Sequence, residues 1–190
     1  MANLKEIRTR IASVASTKKI TSAMKMVSAA KFKKAQINVL RFRPFNDQVN
    51  NILQSSIEFI GSLSGDYVNE RQQVKNIVLI VITSNNSMCG AFNSNIIKYS
   101  IEQYKYISAR HPSARVTFYT LGKKGHEALS RRGYNVIELN HKMLDKPNIE
   151  NTKDIFNTLV NEFKHGSADK IFLIYNMFKS AASQQQVAEQ

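Results

Sequence analysis

Met1–Arg43 contains neither proline nor glycine; the first Pro is Pro44 and the first Gly is Gly61. These two residue types interrupt helices most readily, so a long stretch without them leaves a helix free to propagate. Apolar residues recur through it at steps of three and four. They are Leu4, Ile7, Ile11 and Val14, then Ile20, Ala23, Met24, Val27 and Ala30, then Phe32, Ala35, Val39 and Phe42. Such spacing draws a stripe along a helix of coiled-coil type. One slip, between Val14 and Ile20, moves the stripe around the helix and locally changes the supercoil. The spacing predicts one long helix, opening at Leu4 behind an Asn3 cap, that coils with a partner. At about 1.5 Å per residue the first forty-three residues would span roughly 60 Å. The remaining globular sequence would make a body only about 35 Å across. The helix is therefore expected to overhang its own domain, and its bare apolar stripe to need another helix or protein as cover.

Charge singles out the same segment. The net charge is +13, yet Met1–Arg43 holds eleven Lys and Arg against one acid, Glu6, while the rest holds sixteen against thirteen. A charge run is ordinarily a solvated face. Here the uncompensated cations repel one another, which favours a polyanionic neighbour: nucleic acid, an anionic membrane or an acidic protein surface. The single cysteine, Cys89, permits no internal disulfide and suggests a reducing compartment. No apolar run reaches the length of a membrane span. The basic start lacks the apolar core of a secretory signal, although a mitochondrial transit peptide would share its basic, amphipathic character.

Helical periodicity continues past Pro44 through Val49, Ile52, Leu53, Ile57, Ile60 and Leu63, so Pro44 either kinks the helix or starts a second one. Residues 62–69, with Gly61 just before them and Gly65 among them, read as the loop that ends it. Asn76–Thr83 is a continuous β-branched run, expected as a strand buried on both faces. A polar loop, Thr83–Gly90, leads to a helix over Asn93–Ala109. Arg115–Thr120, Val136–Leu139 and Lys170–Tyr175 read as further strands. Between them, Lys123–Arg132 and Asn151–Lys164 read as helices stopped by Gly133 and Gly166. Alternating strands and helices predict an α/β fold with a Rossmann-like, mostly parallel sheet. The expected division is a helical segment over 1–63, a sheet domain over 74–180 and a polar tail over 181–190 that looks cut rather than ended.

The loops after the strands carry little catalytic promise. Ser84–Gly90 has one glycine and neither dinucleotide nor Walker spacing, so it lacks the backbone cradle that phosphate needs. Cys89 has no His in a triad-like motif, and a small packed apolar residue is the plainer expectation. The four His show no metal spacing. Gly122-Lys123-Lys124-Gly125 matches the G-x-x-G of KH domains, but the surrounding element order is wrong, and a turn into a helix accounts for it. Met24 and Met26 read as an adaptable contact surface or, more plainly, as seam core. No cofactor and no metal site is expected.

The residues just described resemble the gamma subunit of F-type ATP synthases. Leu4–Arg8 and Thr17–Lys31 (TKKITSAMKMVSAAK) are similar to that family's N-terminal shaft helix. Met88–Asn95 (MCGAFNSN) is similar to its loop after the first strand, and Tyr175–Gln184 to its segment at the fourth. The family usually carries Ser-Asp-Arg/Lys-Gly-Leu before Cys-Gly, where this chain has Ser84-Asn85-Asn86-Ser87-Met88. The resemblance implies a non-catalytic rotor, with the long helix forming half of an antiparallel coiled coil whose other half lies beyond Gln190. It implies contact with the alpha and beta subunits of the catalytic ring, an epsilon-type subunit and the membrane c-ring, and a place at the cytoplasmic face of a bacterial inner membrane, peripheral rather than inserted. The implied shaft contacts are Ile7, Ile11, Val14, Lys18, Lys19, Ile20, Met24, Lys25, Val27 and Lys31, and the implied loop contacts are Met88, Cys89 and Gly90. A different class, a nucleic-acid-binding module using the basic helix, is weakened by poor aromatic interleaving: only Phe32 and Phe42 lie in the first forty-three residues.

Overall fold

A computed structural model describes residues 3–60, 71, 73–145 and 147–190, with no side-chain description for 57–60. The chain divides into two compact units, Met1–Gly65 and Asp66–Gln190. The expected loop at 62–69 lies outside the described residues.

The first unit is one helix, α1, Leu4–Ile60. Asn3 begins it, its Oδ1 accepting from the Lys5 N–H at 3.4 Å and its carbonyl from Glu6 N–H at 2.8 Å. The helix runs on through Pro44, so a second helix does not start there. A proline forfeits one ladder bond; the long run of good helix formers before it, rich in Ala, Lys and Met, keeps the remainder helical.

The second unit is a five-stranded sheet with helices on its faces. In chain order it comprises β1 (Asn76–Ile82), α2 (Phe92–Arg110), β2 (Arg115–Leu121), α3 (Lys123–Ser130), β3 (Val136–Glu138), a 3-10 turn (His141–Leu144), α4 (Ile149–Lys164), β4 (Lys170–Phe178) and β5 (Gln184–Glu189). The strand order is β3-β2-β1-β4-β5. The first three pairings along that order are parallel, and β4 pairs β5 antiparallel. β1 is central and buried on both faces, as its unbroken β-branched run predicts. Ile77, Leu79 and Val81 join Phe118, Ile174 and the α2 and α3 residues Ile96, Ile107 and Leu129. Val78 and Ile80, one residue out of phase, join Tyr119 and Ala168 on the opposite side, where Leu159 of α4 packs. Phe118 packs against Tyr104 and Tyr134, with ring centroids 5.4 and 5.3 Å away, and the two tyrosine rings meet each other at 5.0 Å.

The tail corrects the sequence reading. Lys179–Gln190 looked like an unfinished polar end, yet Gln184–Glu189 is a strand, and β4 extends to Phe178 to meet it. Three consecutive glutamines hide the alternation that would announce a strand. Pairing supplies the backbone bonds instead, and Ala188 packs against the core. Tyr175 Oη donates to Glu189 Oε1 at 3.1 Å; burial and that carboxylate both raise the Tyr175 pKa. The helix expected over Lys123–Arg132 stops at Ser130, and Gly133 follows in the left-handed region at φ 79°.

Two polar pins fix the strands at opposite ends. At the start of β1, Asp169 Oδ2 accepts from the N–H groups of Lys75 and Asn76 at 2.7 and 2.8 Å, and its Oδ1 accepts from Arg71 at 2.8 Å. Arg71 also donates to the Phe163 carbonyl and stacks over that ring, 4.9 Å from its centroid. Burial opposes ionisation of Asp169, but the two N–H donors and the guanidinium outweigh it and hold the carboxyl below its ordinary range. After β1, the buried Thr83 accepts from Gly125 N–H at 2.8 Å and donates to the Gly122 carbonyl at 3.3 Å. Gly122 sits at φ 123°, where a Cβ would lie 2.3 Å from the Thr83 carbonyl oxygen.

Gly122→Ala combines that collision with a backbone conformation foreign to alanine. It is expected to destabilise the chain by about 2–4 kcal/mol in urea unfolding. Asp169→Asn is expected to cost about 1–3 kcal/mol at neutral pH. A carboxyl with a lowered folded pKa stabilises above its unfolded value of about 3.9. As pH falls below that and through the folded value, wild type and Asp169→Asn should converge in stability; a constant gap would show the carboxylate charge to be irrelevant.

Candidate functional site

Among the described residues, no group of three or more His, Cys, Asp and Glu could hold a metal, and no helix is long and apolar enough to cross a membrane. What the chain offers is surface, in two places.

The first is α1. Ile7, Ile11, Val14, Ile20, Met24 and Val27 are 45% to 66% exposed. Lys18, Lys19, Lys25 and Lys31 are exposed beside them. Among the described side chains of α1 only Gln36, Val49 and Ser56 are half-buried, and the others are exposed. The helix is continuous across the slip in periodicity. At about 100° per residue, the six-residue step from Val14 to Ile20 turns the stripe by about 240°. Leu4, Ile7, Ile11 and Val14 thus mark one side, and Ile20, Met24 and Val27 mark a nearly opposite one. A single partner helix covers only one side of α1 and would leave one of the two stripes bare. At the changeover, Val14, Lys18 and Lys25 line a shallow groove with Thr17, Thr21 and Ser22. The hydroxyls of Thr17 and Thr21 are tied back to the carbonyls of Ser13 and Thr17 at 2.9 and 2.8 Å. The predicted contact residues therefore form two sets on α1 rather than one seam.

The second surface is the loop between β1 and α2. Met88 and Gly90 both have positive φ, 64° and 59°. For methionine this is a costly conformation. Its side chain stands wholly in solvent, at 101% exposure. Cys89 is exposed too, which corrects the expectation of a packed apolar residue. The reason lies in Asn93, on the first turn of α2, a residue to which the sequence reading gave no role. Asn93 Oδ1 accepts from Ser84 N–H at 3.0 Å. Its Nδ2 faces Ser84 Oγ, the Asn86 carbonyl and Cys89 Sγ at 2.8, 3.1 and 3.2 Å. The sulfur is thus turned toward a polar clamp rather than the core. Asn85 ties the same loop to its neighbours, donating to the His141 carbonyl at 3.0 Å and accepting from Lys123 N–H at 3.2 Å. Asn-rich sequence between a strand and a helix signals side chains that bond local backbone, but which amide closes the loop is set by where α2 begins.

Below the tip lies an open groove of about 390 Å³ between the loop, α2 and α3. Lys98, Lys124, Arg131 and Arg132 line it with one carboxylate, Glu127. Lys124 Nζ donates to Glu127 at 2.9 Å and lowers its pKa. Gly122-Lys123-Lys124-Gly125 begins α3 and packs against Thr83; it is a turn into a helix, not a nucleic-acid clamp.

A family model described as ATP synthase matches residues 3–190. The ATP synthase gamma chain of Flavobacterium johnsoniae is 45% identical over 185 residues, covering 97% of this chain and 63% of that relative. The gamma chain of Bdellovibrio bacteriovorus is 38% identical over 189 residues, covering 100% of this chain and again 63% of the relative. The chain thus spans a little under two thirds of the length of these relatives. Among solved structures, the central stalk and c-ring assembly of Tetrahymena thermophila mitochondrial ATP synthase contains a chain that superposes with a TM-score of 0.65 at 26% identity, covering 90% of this chain and 70% of that one. A chain of the Euglena gracilis mitochondrial ATP synthase rotor superposes at 0.51 with 18% identity, covering 96% and 60%, a likeness of fold.

Because the α1 stripes are exposed, Ile20→Gln and Met24→Gln are expected to change stability by less than about 0.5 kcal/mol. Leu79→Ala in β1 is expected to cost about 2–5 kcal/mol. Urea unfolding followed by far-ultraviolet circular dichroism compares them; a core-sized loss from Met24→Gln would mean that α1 is covered within the chain.

Proposed function

The chain belongs to the ATP synthase gamma-chain family, and on that premise we propose that it is a central-stalk rotor subunit of an ion-translocating F-type ATP synthase, passing torque between a membrane ring and the catalytic subunits. The observation that carries this reading is the exposure of both apolar stripes of α1 beside a dense basic band. Buried apolar area is what holds a stable helix–helix contact, and these stripes supply it on two sides. One suits a coiled-coil partner and the other the inner wall of a ring of alpha and beta subunits. Lys18, Lys19, Lys25 and Lys31 would ride past acidic segments of that ring. Exposed ion pairs worth about 0–1 kcal/mol each suit a moving contact, because a tight anchor would stall rotation.

In this reading the chain is not itself a catalyst, and ATP turnover belongs to the ring. Met88, Cys89 and Gly90 are a second contact point toward the catalytic subunits. An epsilon-type subunit and the c-ring are the remaining partners, and the chain works peripherally, at the cytoplasmic face of a bacterial inner membrane. The Flavobacterium and Bdellovibrio relatives support the bacterial assignment; the coupling ion is a proton or sodium.

The test is reconstitution. The chain, joined to the further length that its longer relatives carry, is combined with alpha, beta and epsilon-type subunits and the membrane sector. Expected are no ATP hydrolysis by the chain alone and ATP-driven ion pumping only when it is present. Lys25→Ala alone should leave pumping near the wild-type rate. Reversing Lys18, Lys19, Lys25 and Lys31 together to Glu should reduce it severely, through like-charge repulsion. Pumping that is indifferent to the presence of the chain would defeat the assignment.

A further inference from the structure

The conformation of the Met88 tip needs an explanation that α1 and the ring contacts do not supply. A methionine at φ 64° that buries nothing gains no packing in return for the unfavourable backbone. Such outliers persist only where surrounding structure over-determines them. Around this loop the bonds converge on one side chain. Asn93 accepts at the entry of the loop, from Ser84 N–H, and donates near its exit, toward Cys89 Sγ; the Asn86 carbonyl between them also faces its amide. The Ser84 bond fixes which end of the amide is oxygen, so the donors must point to the tip side. Ser84 Oγ completes the clamp, donating to the Asn86 carbonyl at 2.6 Å. The base of the clamp is rigid: Asn93 sits on α2, whose Ile96 and Ile97 are buried in the core.

We infer that Asn93 is a positioning residue: it closes the Ser84–Gly90 loop into the one shape that projects Met88 outward beside the basic groove, ready-made for contact with another subunit. This role rests on the rotor reading for its partner, but not for its geometry. A pre-shaped tip meets its partner without first paying for ordering, whereas a loose tip loses part of each contact to conformational search.

Two measurements test it, with Ser94→Ala as control, since the Ser94 hydroxyl donates to the Ala91 carbonyl, outside the clamp. In amide hydrogen exchange on the full chain, Asn93→Ala should speed exchange at Ser84, whose N–H donates to Asn93, and at Phe92, whose N–H donates to the Cys89 carbonyl, by about five- to thirtyfold, the population shift that matches release of a residue from the left-handed region. Amides of β1 and the α2 interior should be unchanged, which separates a local clamp from general destabilisation. Asn93→Asp keeps the acceptor for Ser84 N–H but loses the donors; it should preserve protection at Ser84 and lose it at Phe92, whose N–H donates to the Cys89 carbonyl. In the assembled complex, Asn93→Ala should lower ions pumped per ATP hydrolysed, with assembly and the Ser94→Ala control at wild-type level. Unchanged exchange at Ser84 and Phe92, or a loosened loop with undiminished coupling, would overturn the proposal. A wild-type chain that supports no coupling would overturn the rotor reading and the partner contact with it, a result distinct from the exchange measurement.

Discussion

Burial of β1 on both faces is the interaction on which the Asp66–Gln190 unit depends. Five consecutive side chains, Ile77 to Val81, are buried alternately on opposite faces of one sheet. Each is worth about 1.5–3 kcal/mol when fully removed from water. A strand so placed must be central, because an edge position would leave one row of its backbone groups unpaired. Pairing with β2 on one side and β4 on the other satisfies them. The polar pins follow from that position. Asp169 reads the first N–H groups of β1, and Thr83 anchors the chain to Gly122 and Gly125 as the strand ends. Where β1 leaves the sheet, the loop toward α2 begins, and its direction is already set.

α1 obeys the opposite rule. It is held by its own ladder and by residues that favour helix, and its described apolar side chains remain largely in solvent. Nothing about such a helix is costly in itself, since propensity and length sustain it. The exposed stripes are another matter: an apolar surface this long is an interface waiting for its counterpart. Its basic band restricts the choice to acidic or otherwise anionic surroundings. The change of face between Val14 and Ile20 adds that more than one neighbour is needed. The rotor proposed for this chain, held between a partner helix and an enclosing ring, would meet these demands with contacts that are broad, greasy and individually replaceable.

The loop at Met88 works by a third principle. Its specificity is polar and local, carried by the side-chain amides of Asn85 and Asn93 and by the Asn86 backbone carbonyl. Ser84-Asn85-Asn86-Ser87-Met88 departs from the charged, glycine-containing form usual in the gamma family. The loop nevertheless closes, because neutral amides supply both donors and acceptors to nearby backbone. Charge on this face resides instead in the groove below, on Lys98, Lys124, Arg131 and Arg132.

Much of this was legible in the residues themselves. The absence of Pro and Gly before Pro44, with apolar steps of three and four, determines a long helix because those signals act within a few turns. The run NIVLIVIT determines a doubly buried strand, and the alternation of strands and helices determines a mostly parallel sheet. Tertiary structure decided what depends on distant pairing. Gln184–Glu189 became a strand only because β4 offered a free edge; its own side chains carry no alternation. Gly122 and Gly125 became a close-packing site only because β1 delivers Thr83 against them, thirty-nine and forty-two residues away. Asn93 became the clamp of the Met88 tip only because burial of Ile96 and Ile97 fixes where α2 starts. A hydrogen bond or a van der Waals collision depends on three-dimensional proximity, and proximity across the chain is set by the core, not by neighbours in sequence.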